Sequence, residues 1–457
     1  MRLSHAKTVN TRCSTEVFDE LLKDVKLITK QAKESHFAKL ELKLHQTFAQ
    51  AERVCMAQLL EQYDWDYPGF KSQGKNHRKA SRNNKRVMTL AGEVEVERSL
   101  YRTERNGITT CPLEQNAGLI ESFWTPQAAK QAIHLVSLLT PCEAEHVFKE
   151  FGLMTPSKSS LDRLPKKLSD HWEANQSSLD KIIRGDFEIP DAATMCAISL
   201  DGVLIPTRYT RVLSSDSRWA EAACGTVSFY DKEGDMLITR YLARMPEHKK
   251  KTLKQQLAEH IKNIVESRPD LKIIKVADGA RDNWTFLDEQ IEEGESVLDF
   301  YHAAQHLFSA IESIHGKQTL ETTLAFKKYR GILRYDDKGI DKVIYHLKYQ
   351  FRKNPMLKSL KTEITYFTRH RKHCEYTRLK AKNKPIGSGV VEAACKTVVQ
   401  MRLKRSGQHW DTQGGQAILT FRSILLSKQF DKAWEQIKNF YLKPIALPDN
   451  VVKFQRK

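Results

Sequence analysis

The feature that most constrains this fold is a change of pattern near residue 192. From there three segments rich in β-branched and aromatic residues follow one another, Thr194–Pro206, Trp219–Tyr230 and Asp235–Arg244. Turn-forming residues separate them, Ser214-Ser215-Asp216-Ser217 and Asp231-Lys232-Glu233-Gly234. A helix from about Glu247 to Ser267 follows. Then come a strand at Ile273, a helix from about Asn283, a short strand Ser296-Val297-Leu298-Asp299 and a helix at His302. Strands joined by tight turns pair antiparallel, whereas strands joined by helical crossovers pair parallel.

That order predicts a ribonuclease H-like α/β domain on a mixed five-stranded sheet. Its first strand carries the apolar run Met195 to Leu200 with Asp201 at the end, followed by Gly202. Its fourth carries Ile273 to Ala277 with Asp278 at the end, followed by Gly279. A third acid, Glu392, lies just inside a helix after Pro385-Ile386-Gly387-Ser388-Gly389, with Ser388 as the expected cap. Two acids on strand ends and one on a helix can meet at one sheet edge and hold hard divalent cations through oxygen. A pair of such cations drives in-line displacement at phosphorus. The two glycines would let a DNA backbone approach the acids. Taken singly, each acid also fits a plain turn or a solvated helix face.

The net charge of +18 over 457 residues points to a polyanionic partner, and nucleic acid suits it better than a membrane surface. No apolar run is long enough to cross a bilayer, and Met1 to His5 lack the apolar core of a signal peptide, so a cytoplasmic protein is expected. The eight cysteines include no CxxC, and none stand closer than Cys374 and Cys395, so no zinc is expected.

Residues 1–70 read as a helical region, with Phe37, Leu40, Leu44, Phe48, Ala51 and Cys55 on one stripe. Residues 71–124 combine a basic stretch with a hairpin around Ala91-Gly92-Glu93. Lys71, Lys75, Arg78, Lys79, Arg82, Lys85 and Arg86 read either as an arm laid on phosphates or as a solvated linker. Residues 125–185 suit a helix-turn-helix, with Thr155 capping and Pro156 opening a second helix whose Ser157, Lys158, Ser159 and Arg163 would reach DNA. An ordinary helical hairpin reads the same way. The catalytic core spans 186–316 and resumes at 385–445. Between them, 317–384 forms a helical insertion ending in the basic run Arg369-His370-Arg371-Lys372-His373, and 446–457 form a tail.

Four blocks carry a resemblance to a known family: ISLDGVLIPTR around Asp201, VADGARDNWTFL around Asp278, LDFYHAAQHL around His302 and PIGSGVVEAACKTVVQMRLKRSG around Glu392. In this order they resemble the DDE transposases of bacterial insertion sequences, most closely the ISKra group. The resemblance implies that Asp201, Asp278 and Glu392 are the catalytic, Mg²⁺-binding triad, with Mn²⁺ able to substitute. It also implies strand transfer of transposon ends and an insertion before the last acid. Asp299-Phe300-Tyr301-His302 is similar to the (Cys/Asp)-x-x-His signature of Mutator-like transposases, which gives His302 a supporting catalytic role; a histidine simply satisfied at a helix start is the alternative. Trp284 would stack an extruded base or pack its helix on the sheet. Lys396, Arg402, Lys404 and Arg405 would hold phosphates, Lys396 nearest the acid, and Arg369, Arg371 and Lys372 would add to the DNA surface. One departure concerns the cysteines that relatives carry around the hairpin. Here Arg102, Thr103, Glu104 and Arg105 stand after it, and only Cys111 remains.

These expectations describe a DNA transposase that binds terminal inverted repeats and target DNA as a homodimer or larger assembly. A nuclease or resolvase on the same scaffold, and a domesticated DNA-binding regulator without catalysis, are the alternatives.

Overall fold

The computed structural model describes residues 14–33, 35–72, 74–152, 154–185, 188–208, 218–291, 294–387 and 389–445. Ser388, Leu153, the turn at 214–217, the extreme N-terminus and the tail at 446–457 lie outside the described residues. The chain divides into two compact units, one formed by residues up to His171 together with those from Asp431, the other by Trp172–Phe430. The division falls inside the helix Lys158–Ala174, and the last helix, Phe430–Tyr441, belongs almost wholly to the first unit.

In the first unit, helices Ser14–Lys30 and Phe37–Glu61 precede an antiparallel sheet of β1 (Gly69–Ser72), β2 (Lys75–Thr89), β3 (Gly92–Arg102) and β4 (Thr109–Thr110), in that order. The alternation Val94-Glu95-Val96 turns the valines onto Ala57, Leu60, Leu113 and Leu119 and leaves Glu95 exposed. The basic stretch is therefore a strand, neither an arm nor a linker. Its charges find partners that a reading of the run alone does not see. Arg82 pairs with Asp64, Asp66 and Glu97 (3.8, 3.1 and 3.2 Å), Lys79 with Asp66, and Arg86 with Glu93 at 3.3 Å. Lys75 and Arg78 stay exposed, and Lys85 is half-buried.

The helices Pro126–Leu138 and Pro141–Phe151 follow, the second opened by a Thr140/Glu143 capping box and closed by Gly152 at φ 77°. The next helix starts later than expected. Ser157, not Thr155, caps it, accepting from the Ser160 amide at 3.3 Å, and Pro156 stays in the connection. Ser157, Lys158, Ser159 and Arg163 are all exposed.

The second unit is mixed α/β. Its five-stranded sheet contains β5 (Met195–Pro206), β6 (Trp219–Tyr230), β7 (Met236–Arg244), β8 (Lys272–Ala277) and β9 (Glu295–Leu298), in the order β7-β6-β5-β8-β9. β5, β6 and β7 pair antiparallel, while β8 pairs parallel to β5 and β9 parallel to β8. This topology is compatible with a ribonuclease H-like fold. Residues 195–200 are buried without a break, as expected of a central strand covered on both faces. Crossover helices Lys251–Ser267 and Arg281–Gln290 supply Leu257, Ile261 and Leu287 to the core.

The helical insertion consists mainly of Leu320–Tyr335, Gly339–Lys353 and Lys358–Arg369. It is not a satellite: Leu333, Val343, Leu347, Leu360 and Phe367 belong to the same apolar cluster as Ile198, Val276 and Leu298 of the sheet. Removing it would expose the core of this unit.

Candidate active site

The register of the parallel strands places the acids. The last printed pair of β5 and β8 is Ser199 with Val276, and that of β8 and β9 is Ala277 with Leu298. Counted past those last pairs, both registers bring Asp201, Asp278 and Asp299 to corresponding positions on neighbouring chain segments. The Asp299 amide donates to the Ala277 carbonyl at 2.9 Å, so the second ladder runs one step beyond the strands. Asp201 does not end its strand, as expected, because β5 keeps pairing with β6 as far as Pro206. It stands where the β8 side of that strand falls away.

Asp201 is partly buried, and its Oδ1 accepts from the Gly202 amide at 2.7 Å. Burial, with the backbone hydrogen bond opposing it and the charge of Asp278 reinforcing it, holds the Asp201 carboxyl above the usual carboxylate range. Asp278 Oδ1 accepts from the Ala280 amide (3.1 Å) and from Asn283 Nδ2 (3.0 Å), so buried Asn283 fixes the rotamer of this acid. Asp278 Oδ2 accepts no hydrogen bond among the described residues, and Asp201 Oδ2 meets only the Cys395 thiol at 3.8 Å. Two carboxylates with oxygens to spare fit a hard divalent cation such as Mg²⁺, which takes one or two carboxylates and completes its shell with water and substrate oxygens.

Glu392 lies in the first turn of the helix Gly389–Ala394, is exposed, and precedes Cys395 by one turn. Its helix packs against β5 and β6. Among the described residues no group of three His, Cys, Asp or Glu side chains has metal-holding geometry. The arrangement thus brings Asp201 and Asp278 together and leaves Glu392 on the helix flanking them.

The remaining predicted residues divide by environment. Trp284 is 6% exposed, donates its indole N–H to the Asp278 carbonyl at 2.7 Å and stacks on His373 at 4.4 Å. It packs its helix under the site and is not open to an extruded base. Arg402 is 1% exposed, with its guanidinium 5.1 Å from the Trp410 ring, so it is a core residue and not a phosphate ligand. Arg371 is exposed and paired with Asp341 at 2.6 Å. Arg369, Lys372, Lys396 and Lys404 are exposed, Lys404 lying over the Trp219 ring, and Arg405 is half-buried. Asp299 caps the helix Phe300–His315 by accepting from the Tyr301 amide, and His302 lies in the first turn, half-buried, 5.1 Å from the His306 ring. The space beside each of the two glycines is filled by a side chain. A Cβ on Gly202 would collide with Glu221, which pairs with Lys250 at 3.2 Å, and one on Gly279 would collide with the Tyr366 ring.

Sequence reasoning missed Tyr366, Asn283 and Cys395, and read His370 and His373 only as members of a basic run. Asn283 and Cys395 had a local signal, five residues after one acid and one helical turn after another; the insertion's residues had none. Tyr366 stacks on His306 at 3.7 Å, and His306 Nδ1 meets Glu363 Oε2 at 2.7 Å. His370, 4% exposed, has no hydrogen bond at Nδ1, and burial, with nearby positive charge from His373 and Arg369, pulls it down to about 4. A histidine that folds neutral contributes stability that is complete above its unfolded pKa of about 6.5 and is lost as pH falls toward 4. The chain should lose up to about 2 kcal/mol over that window from this group, after allowing for screening. Melting curves of His370→Phe against wild type should show a flatter acid limb in the variant. Parallel limbs would exclude His370 as their cause.

No protein-family model matches the sequence, and no curated protein matches it. Among solved structures, a chain of the "Drosophila P element transposase strand transfer complex" aligns with 69% of this chain and 81% of its own length, at 13% identity and a TM-score of 0.27. Among the described residues no helix is long and apolar enough to cross a membrane.

Proposed function

We propose that this chain is a DNA transposase of the DDE type with a ribonuclease H-like catalytic unit, acting as a homodimer or larger assembly on two transposon ends inside a bacterial cell. The observation that supports the reading is that Asp201 feels the charge of Asp278, to which the β5–β8 register leads two residues past its last pair, with the helix of Glu392 packed on β5 and β6. Asp201 and Asp278, joined by Glu392, would hold Mg²⁺ or Mn²⁺. When bound, such cations neutralise phosphate oxygens, activate the attacking hydroxyl and steady the leaving oxygen. The chain's own residues orient that apparatus. Asn283 and the Ala280 amide fix Asp278, the Gly202 amide fixes Asp201, and His302, in the first turn of the helix that Asp299 caps, would support the phosphate. The exposed Lys75, Arg78, Ser157, Lys158 and Arg163 would grip the terminal repeats, and Arg369, Lys372, Lys396 and Lys404 the DNA near the acids.

The test is incubation of purified protein and Mg²⁺ with DNA carrying the sequences that flank its coding region, and with an unrelated target duplex. Nicks leaving 3′-hydroxyls, followed by joining to the target, are expected. Cleavage without joining would leave a nuclease, and no cleavage would leave at most a DNA-binding protein.

A further inference from the structure

We infer that the outward face of the insertion helix Gly339–Lys353 is a further DNA-binding surface, which holds duplex DNA by its phosphates whatever the sequence. The inference rests on DNA being the partner, as in the transposase reading, and adds a contact region to it.

The charge of the chain is concentrated in the insertion. Residues 317–384 carry 19 Lys and Arg against 6 Asp and Glu, a surplus of 13 in a chain whose net charge is +18. The helix Gly339–Lys353 sorts its residues by side. Ile340, Val343, Ile344 and Leu347 are buried in the core that the insertion shares with the sheet. At about 100° per residue, Lys342, Tyr345, Lys348, Tyr349, Arg352 and Lys353 fall on the opposite side, and all six are exposed.

Two features of this face call for a polyanion. The first is uncompensated charge. Lys342 pairs with Asp336, but Lys348, Arg352 and Lys353 meet no carboxylate among the described residues. The one acid of the helix, Asp341, is taken by Arg371 at 2.6 Å. The second is the tyrosines. Tyr345 is 71% exposed and Tyr349 43%, and the Lys353 ammonium lies 4.6 Å from the Tyr349 ring. A tyrosine between cations offers a flat apolar surface to a sugar and a hydroxyl to a phosphate oxygen. From Lys342 to Lys353 the stripe runs roughly 16 Å. One strand of a duplex presents a phosphate about every 3.4 Å along its axis, so three cations can each meet one. A short chain of contacts ties this helix to the acids: Arg371 is two residues from His373, which stacks on Trp284, and Trp284 donates to the Asp278 carbonyl. A basic helix can also lie on an anionic membrane, but it does so with its apolar side, and here that side is in the core.

The test is the binding of the full chain to a duplex of unrelated sequence over a range of salt. Combining Lys348→Gln, Arg352→Gln and Lys353→Gln should weaken it by roughly 10²-fold near 0.1 M salt and flatten the log–log salt slope by roughly 2 to 3. Tyr345→Ala should weaken it several-fold with the slope unchanged, because no charge is removed. Lys23→Gln, Lys26→Gln and Lys30→Gln together, exposed on the first helix, should leave both near wild type. An unchanged slope in the Lys348 set overturns the inference. So does an equal loss in the Lys23 set, which would make net charge alone the cause. Unaltered DNA binding with lost binding to phosphatidylserine vesicles assigns the face to a membrane and also overturns it. In each of these cases, ends that the wild type still cleaves and joins leave the transposase reading intact. A wild-type chain that binds no DNA overturns both.

Discussion

Asp201→Asn is expected to melt higher than the wild type when divalent cations are absent at pH 7, to melt lower when Mg²⁺ is saturating, and to cleave DNA at least roughly 10³-fold more slowly. The first part follows from linkage. The Asp201 carboxyl is held above its ordinary value, chiefly by burial and further by Asp278. A group of that kind contributes stability that is complete below the unfolded pKa and disappears as pH rises through the folded one. At pH 7 the ionised side chain is therefore a cost, and asparagine removes the charge while keeping an oxygen for the Gly202 amide. The second part follows from mass action. A cation bound only by the folded wild type stabilises it by about 2.7 kcal/mol at a hundred times its dissociation constant, and the variant forgoes much of that gain. Thermal melts in EDTA and in Mg²⁺ should thus change their order, and the EDTA gap should close as pH is lowered toward 4. An unchanged order would mean that Asp201 is not a cation ligand, whatever the cleavage assay gives.

Such a result depends on two residues whose placement was only half legible in the sequence. The runs ending at Asp201 and Asp278 announce strands because a central strand is apolar on both faces, and the order of strands and helices then dictates which neighbours pair. What no local pattern gives is that β5 outlasts its pairing with β8, so that Asp201 lies mid-strand with the open edge beside it. The basic run Lys75 to Arg86 misled for a similar reason. Like charges in sequence suggest an unfolded arm, but Asp64, Asp66, Glu93 and Glu97 come from outside the run and pair with Lys79, Arg82 and Arg86. Trp284 and Arg402 carry the residue types of a nucleic-acid surface and are buried by rings far off or further along in sequence, His373 and Trp410. Tyr366 could not be found at all, because its partner Gly279 signals only that a side chain is missing and not what takes its space.

The helix of Glu392 holds the least legible feature, and Arg422→Met is expected to expose it, costing about 2–4 kcal/mol in stability and roughly 10²-fold in cleavage rate. Cys395–Gln400, directly after the first helical turns, is π-helical. Such turns are rare and tend to occur at functional sites, because the wider turn leaves carbonyls without their usual donors. Here the donors come from elsewhere. Arg422, buried in the helix Thr412–Leu426, gives its Nε–H to the Thr397 and Val398 carbonyls at 3.0 and 2.9 Å and a terminal N–H to Thr397 as well. Burial lowers its affinity for a proton, yet a guanidinium keeps its charge at any ordinary pH. Methionine fills much of the volume and supplies no donor, so both carbonyls would seek partners by tightening the turn to α geometry. Losing one residue of phase rotates what precedes it by about 100°, which swings Cys395 away from Asp201 and turns Glu392 with it. Arg422→Lys offers a point donor without the fork and should fall between the two in both measurements. If Arg422→Met lost stability and kept its cleavage rate, the π-helical turn would be a packing accommodation and the direction of Glu392 would not depend on it.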